Sequence, residues 1–197
     1  MTASQPQLSH PLRSQRLNQV THEPHSRLDA LVKSHDPFGK REHFARFVAA
    51  QYLFQMDLAG LYADASLGQL FEDLPARARH EQAKADLADL GHPLPAVEGE
   101  APTVGLSLGA ALGWLFVSEG SKLGAAFLYK RAEGLGLSDT FGARHLGEPA
   151  GGRAQGWKSF VATLDGLALD AEQERLAEAA AIAAFNRFTD HLERCFA

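Results

Sequence analysis

Between residues 108 and 127 the apolar side chains Leu108, Leu112, Leu115, Phe116, Leu123 and Phe127 recur about every three or four positions, which puts them on one broad face of a long α-helix. Similar spacing returns in Leu17, Val20, Leu28, Leu31 and Val32, in Phe44, Phe47, Val48, Tyr52 and Leu58, and in Leu176, Phe185, Phe188 and Leu192. No stretch alternates in the manner of a half-buried strand, and no unit of about 20–50 residues repeats itself. These patterns predict eight or so helices joined by short links. The expectation is one compact all-α domain over residues 11–197, with residues 1–10 as a polar, flexible N-terminus.

Turn and cap residues set the boundaries. Pro24 interrupts the first helix and predicts a bend or a fresh start there, with Thr21 as N-cap. The Asp36-Pro37-Phe38-Gly39 turn opens a helix running to about Tyr62, followed by a short piece through Leu67, Leu70 and Phe71. A charged, mostly solvated helix is expected from Ala76 to Leu90, then a surface loop from Gly91 to Pro102. The long apolar helix ends near Arg131, before Gly134 and Gly136. A turn-rich link over residues 137–152 leads to an amphipathic stretch from Ala154 to Leu167. The last helix opens on Asp170, with Gln173 completing a pattern close to a capping box.

Several function classes fall away on composition. With 19 basic and 24 acidic side chains the net charge is −5, which gives no general means of gripping a phosphate backbone, so no nucleic-acid partner is expected. The single cysteine, Cys195, excludes an internal disulfide, a CxxC pair, a zinc ribbon and an iron–sulfur cluster, and suits the reducing cytoplasm. No signal-like apolar run opens the chain, and the charge-free stretch from Ala101 to Ser118 is too broken by Pro102, Gly105, Gly109 and Gly113 to span a membrane. Gly105-Leu106-Ser107-Leu108-Gly109 matches G-x-S-x-G but lacks the strand that a nucleophile elbow requires. No Walker-type loop occurs, Gly134-Leu135-Gly136 lacks a third glycine, and no Glu-x-x-His pair is present for a di-iron bundle.

Nine histidines remain, and neutral imidazole is the commonest metal ligand. His22 and His25 have the spacing of a ligand pair on one helical face, a weak signal by itself. His10, His92 and His145 sit in or near links, whereas His25 lies on or beside the apolar stripe of its helix. Such a histidine is either a satisfied core residue or the ligand of an iron held in a flat apolar group. Gly113, Gly120 and Gly124 lie inside the long helix, where each costs roughly 1 kcal/mol relative to alanine. Glycines there let a planar ligand approach the backbone, or let two helices pack closely with nothing between them. Composition favours neither. Lys33 and Arg131 are either solvated charges or partners for acidic groups on such a ligand.

The run Gly113-Trp-Leu-Phe-Val-Ser-Glu-Gly-Ser-Lys-Leu-Gly-Ala-Ala-Phe-Leu128 resembles the distal helix of bacterial haem oxygenases, and Glu23-Pro-His-Ser-Arg-Leu28 resembles their proximal-histidine segment. His43 to Gln55, Asp86 to Pro93 and Arg153 to Phe160 are similar to further blocks of the family, so the likeness spreads over most of the chain. It implies the biliverdin-producing enzymes of the haem-uptake or bacteriophytochrome-associated type. Their all-α domain sandwiches haem between a proximal and a glycine-kinked distal helix. The implied reaction is oxidative cleavage of haem, both substrate and cofactor, to biliverdin, CO and ferrous iron, using O2 and external electrons.

Carried over on the matching positions, His25 is the implied iron ligand, and Gly120, Ser121 and Gly124 line the distal side. Arg79 resembles a position feeding the distal water network, and Ser121 stands where a mammalian-type distal aspartate would fall. Asn18, Lys33, Phe116 and Arg131 resemble the residues that hold the propionates and set haem rotation. Many relatives that cut at the α position carry Lys and Tyr where this chain has Asn18 and Phe116, which leans toward a β/δ product. The implied electron donor is a ferredoxin or flavin reductase, and a cytoplasmic monomer is the default. The competing reading is a haem carrier or sensor that never turns its ligand over. A helical interaction domain with no ligand is the third.

Overall fold

The computed structural model describes residues 11–197; the expectations for residues 1–10, and for His10, lie outside them. Seven α-helices occur among the described residues: α1 (Arg13–His35), α2 (Arg41–Tyr62), α3 (Ala65–Leu70), α4 (His80–Asp89), α5 (Leu108–Glu133), α6 (Arg153–Gly166) and α7 (Ala171–Phe196). Short 3-10 turns at Leu74–Arg77 and Arg144–Leu146 complete the set. No strand forms among these residues; isolated bridges join Ser138 to Phe141 and Gly142.

The last helix is the spine against which α5, α2 and α1 all rest. Its small residues Ala177, Ala180, Ala181 and Ala184 are buried, while Leu176, Phe185 and Phe188, which the apolar period put inward, are only partly covered. The cause lies in α5. A Cβ built on Gly109 would overlap the Gln173 carbonyl, and one on Gly113 would overlap the Ala177 carbonyl and crowd Ala180 and Ala181. The two backbones therefore touch directly, and alanine is as large a side chain as the crossing admits. Gly113 is thus a packing glycine, and of the two readings for the interior glycines the bland one holds at that position.

Local departures from the sequence expectations have similar physical origins. Thr21 caps nothing: α1 runs unbroken through Pro24, and the Thr21 hydroxyl donates to the Leu17 carbonyl at 2.6 Å. Proline leaves the Val20 carbonyl without its usual helical donor, but the helix is clamped along α7 before and after the break. Arg13 donates to both carboxylate oxygens of Glu174 at 3.0 and 2.7 Å, Arg16 donates to Glu174 and Glu178, and His25 meets Phe185 further along. The expected helix from Ala76 to Leu90 is split into a 3-10 turn and α4, which buries Ala83, Asp86 and Leu87. Asp170 does cap α7, accepting from the Gln173 N–H at 2.8 Å, but the Gln173 side chain does not close a box; it accepts the Gly109 N–H at 2.7 Å. At the close crossing it satisfies a donor that α5 leaves open in its first turn.

Buried charge ties α2 to α7. Asp57 accepts from His191 Nε2 at 2.7 Å and from Arg187 at 2.8 and 3.1 Å. Burial alone would raise this carboxyl, but the hydrogen bonds and charges of His191 and Arg187 outweigh it and hold it below the ordinary aspartate range.

Two outcomes follow for stability. Gly113→Ala should lose about 1–3 kcal/mol in urea unfolding, the usual scale of overpacking. A carboxyl depressed on folding stabilises above its unfolded value, about 4, and that contribution disappears as pH falls through the folded value. The urea midpoint should therefore drop as pH is lowered below about 4, and drop less steeply in Asp57→Asn.

Candidate active site

Contacts along α7 fix the heights of its neighbours. Gly113 of α5 lies against Ala177 to Ala181, so the next two turns of both helices bring Gly120 level with Ala184 to Phe188. On the other side, the His25 ring of α1 meets Phe185 edge-on, with centroids 5.6 Å apart. Residue 25 of α1 and residues 120–124 of α5 thus stand at one level, while the two helices hardly touch each other. With His25 exposed and nothing near the Gly124 position, the gap between the two helices above α7 is the candidate cleft.

The walls of the cleft differ in kind. On α1, Asn18, His25 and Lys33 share an exposed stripe. The His25 side chain is 60% exposed, its Nδ1 is 3.5 Å from Asp29 Oδ2, and its Nε2 makes no hydrogen bond among the described residues. On α5, Phe116, Gly120, Gly124, Phe127 and Arg131 follow one another at helical spacing. A Cβ added to Gly124 would meet nothing, and one on Gly120 would only reach van der Waals distance of Trp157, 3.5 Å away. No helix-packing requirement explains these two glycines, in contrast to Gly113. Phe127 exposes 67% of its surface on the same face, with Leu123 beside it.

The remaining sequence candidates are distributed as follows. Phe116 is buried one turn before Gly120, its ring 5.5 Å from that of Trp157. Arg131 is exposed at the far end of α5 with its guanidinium 4.3 Å from the Phe38 ring, in the turn that follows the Lys33 end of α1. Both cations therefore stand at the same end of the cleft. Ser121 is exposed, but its hydroxyl is turned back to the Ser118 carbonyl at 2.7 Å. The Arg79 backbone N–H donates to Gln55 Oε1 at 3.2 Å, and its guanidinium makes no hydrogen bond to protein among the described residues. Burial lowers that guanidinium's pKa although Glu119 and Tyr62 pull the other way. Two concavities, of about 480 Å³ beside Leu61 and Thr103 and about 360 Å³ beside Pro24 and Asn186, contain neither His25 nor the α5 glycines.

A family model described as Heme oxygenase matches residues 12–194. The chain belongs to the haem oxygenase family. Among curated proteins, Heme oxygenase PigA of Pseudomonas aeruginosa is 64% identical over 186 residues, 94% of each chain. Among solved structures, the NO- and CO-bound heme oxygenase from Neisseria meningitidis superimposes with a TM-score of 0.89 at 35% identity, covering 95% of this chain and 93% of that one. The family resemblance and the all-α architecture read from the sequence both hold. No helix among the described residues is long and apolar enough to cross a membrane.

Sequence reasoning overlooked two polar clusters of this haem oxygenase. Under the cleft face of α5, buried Glu119 accepts from Tyr62 at 2.8 Å, Lys122 at 2.5 Å and Arg77 at 3.2 Å. A lone carboxylate beside an otherwise uncharged helical run was the available signal. The second cluster surrounds Asp86, which is fully buried and accepts from the backbone of Arg144 and His145 and from the His145 ring; that ring also meets Gln51 Oε1 at 2.7 Å. His145, read as a link residue, is therefore a core tie between α4, the 144–146 turn and α2. Nothing in local spacing brings Asp86, His145 and Gln51 together.

Gly124→Ala separates ligand space from packing space. The protein alone should keep its urea stability or gain up to about 1 kcal/mol, while its haem affinity, followed by Soret titration, should fall. Equal losses in both would show that Gly124 serves packing.

Proposed function

We propose that haem lies edge-in between α1 and α5, with His25 Nε2 on its iron and the bare backbone of Gly120 and Gly124 against its other face. The observation that carries this reading is the pairing of an exposed, unpartnered imidazole nitrogen with two glycines at the same level, one where an added Cβ would meet nothing and one where it would come no nearer than 3.5 Å to Trp157. A flat macrocycle fits that pairing: it needs a nitrogen donor on one side and freedom from Cβ atoms on the other. When bound, haem supplies both the iron that takes up electrons and O2 and the ring that is cut, giving biliverdin, CO and ferrous iron.

The chain's own residues then bind, orient and shield. Asp29, next to His25 Nδ1, favours the tautomer that leaves Nε2 free for iron. Phe127 and Leu123 offer the apolar contact area that a porphyrin face requires. Lys33 and Arg131, at one end of the cleft, pair with the propionates, and the planar Arg131 fork suits a carboxylate. A backbone wall at Gly120 and Gly124 admits ordered water beside the ring edge, and the unpaired Arg79 guanidinium helps to hold it. With Ser121 bonded to its own helix, the proton route runs through that water. Asn18 and Phe116 lack the groups associated with α cleavage and support a β/δ product.

A soluble ferredoxin or flavin reductase is the class of electron donor proposed, and a monomer working in the reducing cytoplasm accords with the lone Cys195. No observation favours a carrier or sensor.

Equimolar haemin should give a sharp, red-shifted Soret band that decays to biliverdin when ascorbate or a reductase is supplied in air. A haem complex that survives repeated reduction would make the chain a carrier instead. His25→Ala should abolish turnover, with added imidazole restoring the ligand spectrum. Asn18→Lys together with Phe116→Tyr should move the product toward the α isomer, read by chromatography of the tetrapyrrole.

A further inference from the structure

The cleft face of α5 between Gly120 and Gly124 carries little that could pack against a neighbour, so something else must hold this segment at its height. The underside of the same turns is tethered by polar contacts from several directions. Tyr62 of α2 bonds both Ser118 Oγ at 2.7 Å and Glu119, and Gln55 Nε2 reaches Ser118 Oγ at 3.4 Å. Arg77 donates to Glu119 and to the Gly156 carbonyl of α6 at 3.3 Å. Arg153 of α6 donates to the Lys122 carbonyl at 3.4 Å. Lys122 closes the cluster: only 16% exposed, its ammonium donates to Glu119 and to the Arg77 carbonyl at 2.8 Å and lies 5.1 Å from the Tyr62 ring centroid.

A buried ion pair of this kind is poor evidence of stability, because hydrophobic residues of equal volume often serve as well. What it adds is a defined register. We propose that Lys122 is a positioning residue for ring oxidation, holding Glu119 against Tyr62 and Arg77 so that Gly120 to Gly124 stays at one height over the haem. The inference rests on the haem site proposed above.

Every charged group facing Lys122 bears on its proton. Burial is the largest influence and lowers its pKa, Glu119 on α5 opposes, and Arg79 and Arg77 lower it further, leaving it at about 8. Tyr62 faces it from α2 and is held protonated by burial and by Glu119, and Arg153 approaches only the backbone. The tether should therefore loosen as pH rises through about 8.

The apo protein offers a readout independent of turnover, since the Trp157 ring is the nearest neighbour of a Cβ built on Gly120, at 3.5 Å. In a Trp114→Phe background, Trp157 emission should titrate with a midpoint near pH 8, and Lys122→Met should make it flat. With haem bound, Lys122→Met should keep haem affinity within about threefold yet lower the biliverdin formed per reductant consumed about tenfold or more, the scale of a small misplacement at a reacting centre. Lys122→Arg should recover most of that coupling. Glu119→Gln should match Lys122→Met, and the double variant should be no worse than either single one. Unchanged coupling in Lys122→Met, the same titration in parent and variant, or additive losses in the double variant would overturn the proposal. If Lys122→Met does not fold, Lys122→Arg and Glu119→Gln carry the same comparisons. Failure of the parent to consume haem would sink the haem reading, while the emission titration would still judge the tether.

Discussion

The contact of α5 with α7 at Gly109 and Gly113 sets the dimensions of everything around it. Because two backbones meet without side chains between them, α5 is drawn close to the spine at one end. The facing alanines of α7 make the approach possible, and the Gln173 side chain satisfies the Gly109 N–H that the crossing would otherwise leave buried and unpaired. Beyond this crossing the same helix presents Gly124 to open space and Gly120 to no backbone, only to the Trp157 ring at van der Waals distance. One residue type thus serves opposite ends in a single helix: contact where the neighbour is backbone, and clearance on the face proposed for the ligand.

Several of the places where helices meet are tied by buried charge pairs. Arg13 and Glu174 join α1 to α7, Asp57 with His191 and Arg187 joins α2 to α7, Asp86 with Arg144 and His145 joins α4 to the link before α6, and Glu119 gathers donors beneath α5. Removing one partner strands the other in a poorly solvated interior, which is far more harmful than the pair is beneficial. Such ties select one arrangement of helices among the many that equally apolar faces would allow. Here that selection keeps α1 and α5 apart while both remain anchored to one spine.

The likeness to a solved haem oxygenase extends over nearly the whole chain, so the fold that frames the candidate site is shared with it. Within that framework the proposed haem site pairs a donor atom with a surface bare of side chains. His25 contributes an accessible nitrogen, and the glycine turns of α5 contribute the absence of atoms. In that proposed site, Lys33 and Arg131 stand together at one end and would give a ligand with two acidic arms a preferred rotation.

Helix number, helix type and most boundaries were legible in the chain itself, since apolar period and turn residues act within a few positions of one another. His25, beside an apolar stripe, and the interior glycines stood out in the sequence as candidates. What each glycine is for was not legible: Gly113 and Gly124 look alike in sequence, and only the position of α7 makes one a contact and the other a gap. The continuity of α1 through Pro24 likewise depends on clamps from α7, and the Glu119 and Asp86 clusters join residues far apart in the chain. Local sequence determines which segments become helices because that choice is made by neighbours three and four residues away. Tertiary structure decides which faces meet, which charges are sheltered and where a slot remains, because those depend on contacts whose partners local spacing cannot name.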